Sequence, residues 1–278
     1  MPSVISRSIS PALIVTWLVV CGVAIAVSVV TEPHARAEPK GDVQSVQILT
    51  EDLPPFNYEE DGEVRGAAAE VVHAIRDELD LDEPIRVYPW VRTYEMALNE
   101  PNVAVFSLAR IPERENQFHW IGVLAPATPF LFALESREDI QLDNLDDARE
   151  YSIGVFRRSA PETYLEARGF TVDEELISVY GHDRLYDLLR HERIDLWAVT
   201  LESIPHIVAG VREEPRAPVR PVLSLPELIP DNGVYLAMSR ETPEETVEAF
   251  REAYQRVAEN GTLENILSEH GMVFPASP

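Results

Sequence analysis

The stretch VAVFSLARIPERENQFHW, residues 103–120, joins an apolar run to a charged, proline-containing turn. Its first part, Val103–Ser107, has the composition of a buried β-strand. Two other strings have the same order, a predicted strand followed by a polar turn: PWVR at 89–92 and VFRRS at 155–159. Open parallel sheets bind ligands outside the carboxyl ends of their strands. We therefore expect these three turns to lie at ligand-binding edges.

Strands and helices alternate along the rest of the chain. Further strands are predicted at 46–49, 85–88, 130–134, 151–156, 194–199 and 233–238. Helices are predicted after Gly66, at 93–98, after Ser159, around 185–189, from Thr242 to about Glu259, and at 262–270. Both Ser159 and Thr242 open an S/T-x-x-E capping box. The alternation predicts an α/β fold with parallel sheets and right-handed crossovers.

The composition excludes several classes of protein. The chain has 278 residues, 48 acidic against 23 basic, and a net charge of −25, so it lacks the basic surface that nucleic-acid binding requires. A hydrophobic content of 45 % argues against disorder. One cysteine excludes an intrachain disulfide and a cysteine-based zinc site. The seven histidines are scattered, and no HExxH, Gly-x-Ser-x-Gly, phosphate-loop or dinucleotide motif occurs. We therefore expect no cofactor, no metal and no enzymatic activity.

The amino terminus has the pattern of an export signal. Arg7 precedes an apolar run, 12–30, and Ala35 and Ala37 stand at the −3 and −1 positions before Glu38. This predicts a signal peptide, 1–37, and a periplasmic protein. The run is also long enough to span a membrane, so an uncleaved anchor is the alternative. Cys21 follows a bulky valine and is interpreted as one more apolar residue of the signal rather than a lipidation site.

Five strings together resemble the family 3 periplasmic solute-binding proteins of ABC transporters, the polar amino-acid-binding type. They are EDLPPFNY (51–58), PWVRTYEMAL (89–98), FSLARIPERENQFHW (106–120), YSIGVFRRSAPETY (151–164) and HERIDLWAV (191–199). The resemblance covers most of 44–272. It implies a type II fold of two α/β lobes joined by two crossover strands, which close on a ligand. Lobe I would be 44–128 plus 224–272 and lobe II 129–223, with the proline-rich segment 215–221 as a connector.

In the first lobe, the resemblance places the ligand's carboxylate on Arg114. A planar guanidinium can form two parallel charge-assisted hydrogen bonds with a carboxylate, which lysine cannot match. The alternative is a surface arginine paired with its neighbours Glu113 or Glu115. Ser107 is expected to offer a polar contact to the same ligand, or else to end its strand without contacting a ligand.

Two further groups in the first lobe are candidates. Trp90 is expected to wall the cleft, with core packing as the alternative, and Arg92 to contact ligand or pair with Glu95. In the family, the loop around Pro54 and Pro55 covers the ligand side chain. This gives the candidates Glu51, Phe56 and Tyr58, and the alternative is that Glu51 and Tyr58 are solvated loop residues.

In the second lobe, Ser159 is expected at a helix amino terminus, where free N–H groups and the helix dipole favour anions. Phe156, Arg157 and Arg158 precede it, and the two arginines add positive charge. Solvated arginines on an acidic surface are the alternative. The family register puts Thr200 at the end of the next strand as a ligand contact.

Three positions depart from the amino-acid-binding pattern. Ala109 and Ala160 stand where the family usually has hydroxyls, and Thr200 stands where an aspartate holds the ligand ammonium. Glu202 or Glu51 could replace that aspartate. The ligand is therefore expected to be a small carboxylate-bearing solute, an amino acid or another small organic anion.

The resemblance implies a monomer that delivers its ligand to an ABC permease in the inner membrane. Two alternatives remain open. One is a membrane-tethered lobe that binds ligand and signals to a partner, which requires 12–30 to stay uncleaved. The other is a periplasmic dehydratase-like enzyme that uses a carboxylate pair such as Glu51 and Glu202.

Overall fold

The structure is a computed structural model that describes residues 45–210 and 217–274. The predicted signal peptide with Cys21, and the first two residues of the predicted 215–221 connector, lie outside the described residues. Among the described helices, none combines the length and the apolar character needed to cross a membrane.

Strands and helices alternate in the described residues, as the sequence predicts. The strands are β1 (Gln47–Thr50), β2 (Tyr58–Glu60), β3 (Glu63–Arg65), β4 (Ile85–Val87), β5 (Val103–Ala109), β6 (Phe118–Pro126), β7 (Pro129–Leu134), β8 (Ile153–Phe156), β9 (Leu176–Val179), β10 (Leu196–Thr200), β11 (Val219–Ser224) and β12 (Gly233–Ser239). The helices are α1 (Ala67–Leu79), α2 (Trp90–Asn99), α3 (Ala160–Glu166), α4 (His182–Arg190), α5 (Ile204–Gly210), α6 (Glu244–Glu259) and α7 (Thr262–Glu269). Three short 3₁₀ turns follow β5, β7 and β10.

Ten of the twelve described strands form two five-stranded sheets, one for each lobe, and β2 and β3 form a separate two-stranded hairpin. The first-lobe sheet has the order β4-β1-β5-β12-β6, and the second-lobe sheet has the order β11-β7-β10-β8-β9. Both sheets are mixed, so the prediction of parallel sheets is wrong in part. β12 runs antiparallel to β5 and β6, and β7 runs antiparallel to β10 and β11. These are the strands that enter or leave a lobe through the crossovers, so a βαβ connection does not set their direction.

Two crossovers lie side by side and join the lobes. Residues 127–128 connect β6 to β7, and residues 225–232 connect β11 to β12. The Ala127 N–H donates to the Asn232 carbonyl at 2.8 Å, and the Leu225 N–H donates to the Pro129 carbonyl at 3.0 Å. The two-lobed fold with two crossovers at a hinge is thus confirmed, while the residue boundaries of the lobes stay a prediction.

The two predicted capping boxes form differently from the pattern. Ser159 accepts the Glu162 N–H at 3.4 Å, but the Glu162 carboxylate accepts the N–H of Arg158 instead of that of Ser159. At α6 the N-cap is Pro243, and the Thr242 hydroxyl accepts the Asn102 N–H at 3.2 Å, before β5. Ser159 thus caps α3 as predicted, while the Glu162 carboxylate and the Thr242 hydroxyl accept from other backbone N–H groups than the pattern assigns.

Candidate functional site

A cavity of about 80 Å³ lies between the lobes, at the strand ends that the sequence points to. Its wall is mainly apolar, with a few polar side chains from both lobes. Half of the twelve predicted site residues line it: Glu51, Trp90, Arg114, Phe156, Ser159 and Thr200. Ala109 and Ala160 line it too, so the two missing hydroxyls do leave the cavity less polar. This volume holds several waters or a small solute.

Arg114 is the central cation of the cavity wall and is only 2 % exposed. Its guanidinium lies 4.8 Å from the ring centre of Tyr94 and 5.6 Å from that of Trp90. Nη1 donates to the Ala109 carbonyl at 3.4 Å and Nη2 to the Arg158 carbonyl at 3.0 Å. Nε is buried and has no hydrogen-bond partner among the described residues. The predicted alternative, a surface ion pair with Glu113 or Glu115, is wrong because Glu115 pairs with Arg110 and Arg114 is buried.

Burial lowers the pKa of Arg114, and the nearby Tyr94 and Glu51 partly oppose that shift. Because arginine is effectively always protonated in proteins, the group stays charged at neutral pH. A buried positive charge with a spare donor is a strong site for an anionic group.

Glu51 is the acidic residue of the wall, 7 % exposed, and it follows β1 directly. Burial raises its pKa to about 8, the charge of Asp52 adds to the shift, and Arg114 opposes it. The Asn57 side chain donates to the Glu51 carbonyl at 2.5 Å, and the Ser107 hydroxyl donates to the Asn57 side chain. Ser107 does not line the cavity; it acts one step away, through the loop that holds Glu51.

Three other first-lobe candidates do not line the cavity. Phe56 is fully buried in the core, Tyr58 belongs to the β2–β3 hairpin, and exposed Arg92 stacks on Tyr88 with its guanidinium 4.0 Å from the ring centre. Their contact with a ligand remains a prediction. Trp90 is the first residue of α2, and its indole N–H donates to the Arg158 carbonyl at 2.9 Å.

The two second-lobe arginines lie outside the cavity wall. Arg157 stacks on Tyr180, with 5.4 Å from guanidinium to ring centre, and Arg158 forms an ion pair with Glu95 of the first lobe. Of the four candidate arginines, Arg92, Arg114, Arg157 and Arg158, only Arg114 lines the cavity, and ligand contact by the other three stays a prediction. An arginine has many rotamers, and sequence position alone does not choose among them.

Glu202 is also engaged elsewhere. Its carboxylate accepts the Thr128 N–H at 3.0 Å and the Thr128 hydroxyl at 2.8 Å, at the first crossover. It does not line the cavity, so Glu51 and Glu202 are not assembled as a carboxylate pair. Thr200 does line the cavity, with its hydroxyl 3.0 Å from that of Ser203.

The sequence reasoning missed His182, the first residue of α4, which lines the cavity. Its ring packs against Phe156 with 4.6 Å between ring centres, and burial lowers its pKa to about 4. Nδ1 is buried and has no partner within 45–210 and 217–274. His182 follows the carboxyl end of strand β9, where open parallel sheets bind ligands. The sequence would have pointed to it if that strand had been predicted.

A family model describes this combination of fold and cleft. The model of the bacterial extracellular solute-binding proteins, family 3, matches residues 46–272. The chain belongs to this family. Membership assigns it a solute-binding role, which agrees with the cavity between the lobes. Among curated protein sequences, none matches the chain.

Solved structures share the fold at low sequence identity. A histidine kinase sensor domain similar to periplasmic binding proteins has a TM-score of 0.71 and 17 % identity, and the match covers 84 % of this chain and 98 % of the other. An ancestral arginine-binding protein bound to arginine has a TM-score of 0.68 and 16 % identity, and the match covers 81 % of this chain and 96 % of the other. The amino acid ABC transporter substrate-binding protein AbpA from Streptococcus pneumoniae, bound to L-arginine, has a TM-score of 0.65 and 20 % sequence identity. The match covers 81 % of this chain and 92 % of the other.

Within the described residues, no group of three or more His, Cys, Asp or Glu side chains is placed to hold a metal ion.

Proposed function

We propose that this family 3 protein captures a small carboxylate-bearing solute between its lobes, outside the cytoplasmic membrane, for import by an ABC permease. The observation that carries the proposal is Arg114: a buried guanidinium at the cavity wall with an unpartnered Nε. A carboxylate bound side-on would accept from Nε and from one terminal nitrogen. That geometry satisfies the buried donor and neutralises the buried charge.

An amino acid is the ligand class that best fits the remaining polar groups. Glu51 lies in the same wall and, once ionised, would accept from an ammonium or another cationic group. Trp90 and Phe156 supply apolar faces for a side chain. The small cavity and the alanines at 109 and 160 favour a solute with few polar groups besides its carboxylate and cation.

Capture follows from the two-lobed arrangement. Arg114, Trp90 and Glu51 come from the first lobe, and Ser159 and Thr200 from the second. A solute that contacts both sets stabilises the closed form, because only that form makes all the contacts.

A thermal-shift screen of the exported protein tests the proposal, with L-arginine, L-glutamine, L-glutamate, succinate and the carboxylate-free putrescine as probes. We expect at least one carboxylate to raise the melting temperature by mass action. For that compound, Arg114→Gln should weaken binding by about 10–150-fold, since a hydrogen bond to a charged group contributes about 1.5–3 kcal/mol.

The matched control is Arg86→Gln, which removes an exposed arginine on β4 of the same lobe that does not line the cavity. Its affinity should equal that of the wild type. Stabilisation by putrescine alone, or wild-type affinity in Arg114→Gln, would show that Arg114 is not a carboxylate clamp.

A membrane-tethered ligand-sensing lobe is the second candidate, favoured by the similarity to a histidine kinase sensor domain. It differs from the first candidate in the fate of residues 1–37. Amino-terminal sequencing of the exported protein discriminates between them: a start at Glu38 supports a free binding protein, and a retained segment supports the tethered sensor.

A further inference from the structure

We propose that Arg158 of the second lobe is an interlobe latch that holds the protein closed through contacts that need no ligand. Its carbonyl oxygen accepts from Trp90 and Arg114, and its guanidinium pairs with Glu95 on α2. All three partners belong to the first lobe. The latch therefore adds to solute capture a built-in bias of the open–closed equilibrium.

The backbone of Arg158 is held in an orientation that an arginine seldom adopts. Its φ is +60°, in the left-handed region that is costly for a residue with a Cβ. Its N–H donates to the carboxylate of Glu162, which also accepts the Ser178 hydroxyl. Glu162 is only 7 % exposed and lies in α3. We infer that Glu162 is a positioning residue that fixes the Arg158 peptide, so that its carbonyl meets the first lobe.

The latch leaves Arg114 free to bind a solute. A guanidinium has five N–H donors, and here Nη1 and Nη2 each donate once to a carbonyl while Nε is unpartnered. Nε and one remaining terminal N–H can take a carboxylate side-on without breaking the bond to Arg158. If the proposed function is right, a bound carboxylate fixes the guanidinium that already holds the second lobe, which couples binding to closure.

The parts of the latch differ in strength. The Arg158 and Glu95 side chains are 42 % and 46 % exposed, so solvent screens this ion pair. Exposed pairs contribute about 0.2–1 kcal/mol, so Glu95→Gln should lower the closed-to-open ratio by up to about fivefold. Trp90 and Arg114 are 4 % and 2 % exposed, and their two bonds to the carbonyl are the larger contribution.

The test measures the distance between the lobes in the ligand-free exported protein. Spin labels are placed at Glu59→Cys and Arg184→Cys in a Cys21→Ser background. Both sites are exposed and lie on different lobes, and the charges of Glu59 and of Asp183, the neighbour of Arg184, both act on Asp52. Pulsed electron resonance then gives the populations of short and long distances.

We expect a substantial short-distance population in the wild type, and a shift to long distances in Glu95→Gln and in Arg158→Gln. The double variant should shift no further than Arg158→Gln alone, because both changes break one pair. The exchanged pair, Glu95→Arg with Arg158→Glu, should recover part of the short population. Arg157→Gln is the matched control, since it removes the neighbouring arginine, whose partner Tyr180 is in its own lobe.

The proposal is overturned if Glu95→Gln and Arg158→Gln keep the wild-type distance distribution, or if their effects simply add. Glu95 lies on the surface of α2, so Glu95→Gln carries the test even where Arg158→Gln fails to fold. The readout uses no solute. A failure of the latch is thereby distinguished from a failure of the proposed function, which the thermal-shift screen measures.

Discussion

Arg114 shows how a single buried charge is tolerated at the site. Transfer of a guanidinium out of water is costly unless hydrogen bonds and nearby charge compensate. Here two carbonyls accept from it and the rings of Trp90 and Tyr94 lie against it, each such ring contact being worth about 0.5–2 kcal/mol. No carboxylate among the described residues forms an ion pair with it at closer than 4 Å. The site is thus positive at the point where a solute's carboxylate would bind.

Glu51 predicts a pH dependence at the same scale. Its pKa is raised from 4.5 to about 8, so the folded state binds a proton between these pH values that the unfolded state releases. The Glu51 contribution to stability is therefore fully present below about pH 4.5 and is lost as the pH rises through about 8. Urea unfolding at a series of pH values should show the wild type losing stability relative to Glu51→Gln across this range.

The control is Glu59→Gln, which changes an exposed carboxylate in the following hairpin. It should follow the wild-type pH profile. Parallel profiles of the wild type and Glu51→Gln would mean that Glu51 titrates at its ordinary pH. The same raised pKa predicts that capture of a cationic solute near neutral pH releases a proton.

At the scale of elements, the start of α1 holds the loop that carries Glu51. No side chain caps this helix; its first N–H groups, at 67, 68 and 69, donate to the carbonyls of Pro55 and Phe56. Gly66 makes this approach feasible. Its φ is +111°, and a Cβ there would lie 2.6 Å from both carbonyl oxygens.

Gly66→Ala should therefore lower the free energy of unfolding by about 2–4 kcal/mol, combining backbone strain with overpacking against backbone that cannot move aside. Gly62→Ala is the matched control, because Gly62 also has a positive φ, +82°, but nothing lies within 4 Å of its Cβ position. It should cost only the strain, about 1–2 kcal/mol. Equal losses in chemical denaturation would contradict the close approach at Gly66.

At the scale of the molecule, the chain has a net charge of −25, and among the described residues only one carboxylate, that of Glu51, lines the cavity. The acidic residues of α6 are exposed: Glu244, Glu245, Glu248 and Glu252. Arg251 pairs with Glu244 and Glu248, and Arg256 pairs with Glu252. Such a surface keeps the protein soluble and repels itself within the folded state.

Added salt should stabilise the folded state. Screening shortens the range of repulsion to about 10 Å at 0.1 M and about 3 Å at 1 M. The melting temperature in potassium chloride should rise steeply at low concentration and then level off. Adaptation to a high-salt habitat is our hypothesis for the excess of exposed acidic residues. A melting temperature that falls as salt is added would contradict both the screening argument and this hypothesis.

The sequence by itself predicted the alternation of strands and helices, because hydrophobic periodicity, capping residues and turn chemistry are local. Its resemblance to the family 3 proteins implied the two-lobed fold and the place of the cleft. It also singled out Arg114, Trp90, Glu51, Ser159, Phe156 and Thr200, all of which line the cavity. Alignment with the family's motifs depends only on the order of residues along the chain. The same holds for the rule that ligands bind at the carboxyl ends of parallel strands. Both could therefore be applied to the sequence alone.

Only the tertiary structure decided what long side chains do and which elements meet. Contacts between residues far apart in the chain set the orientation of the Arg157 and Arg158 side chains. Such contacts also join Glu202 to Thr128 and place His182 at the cavity wall. The antiparallel course of β7 and β12 depends likewise on crossovers between lobes. A flexible side chain adopts the rotamer that its packed surroundings leave open, and those surroundings exist only once both lobes are folded.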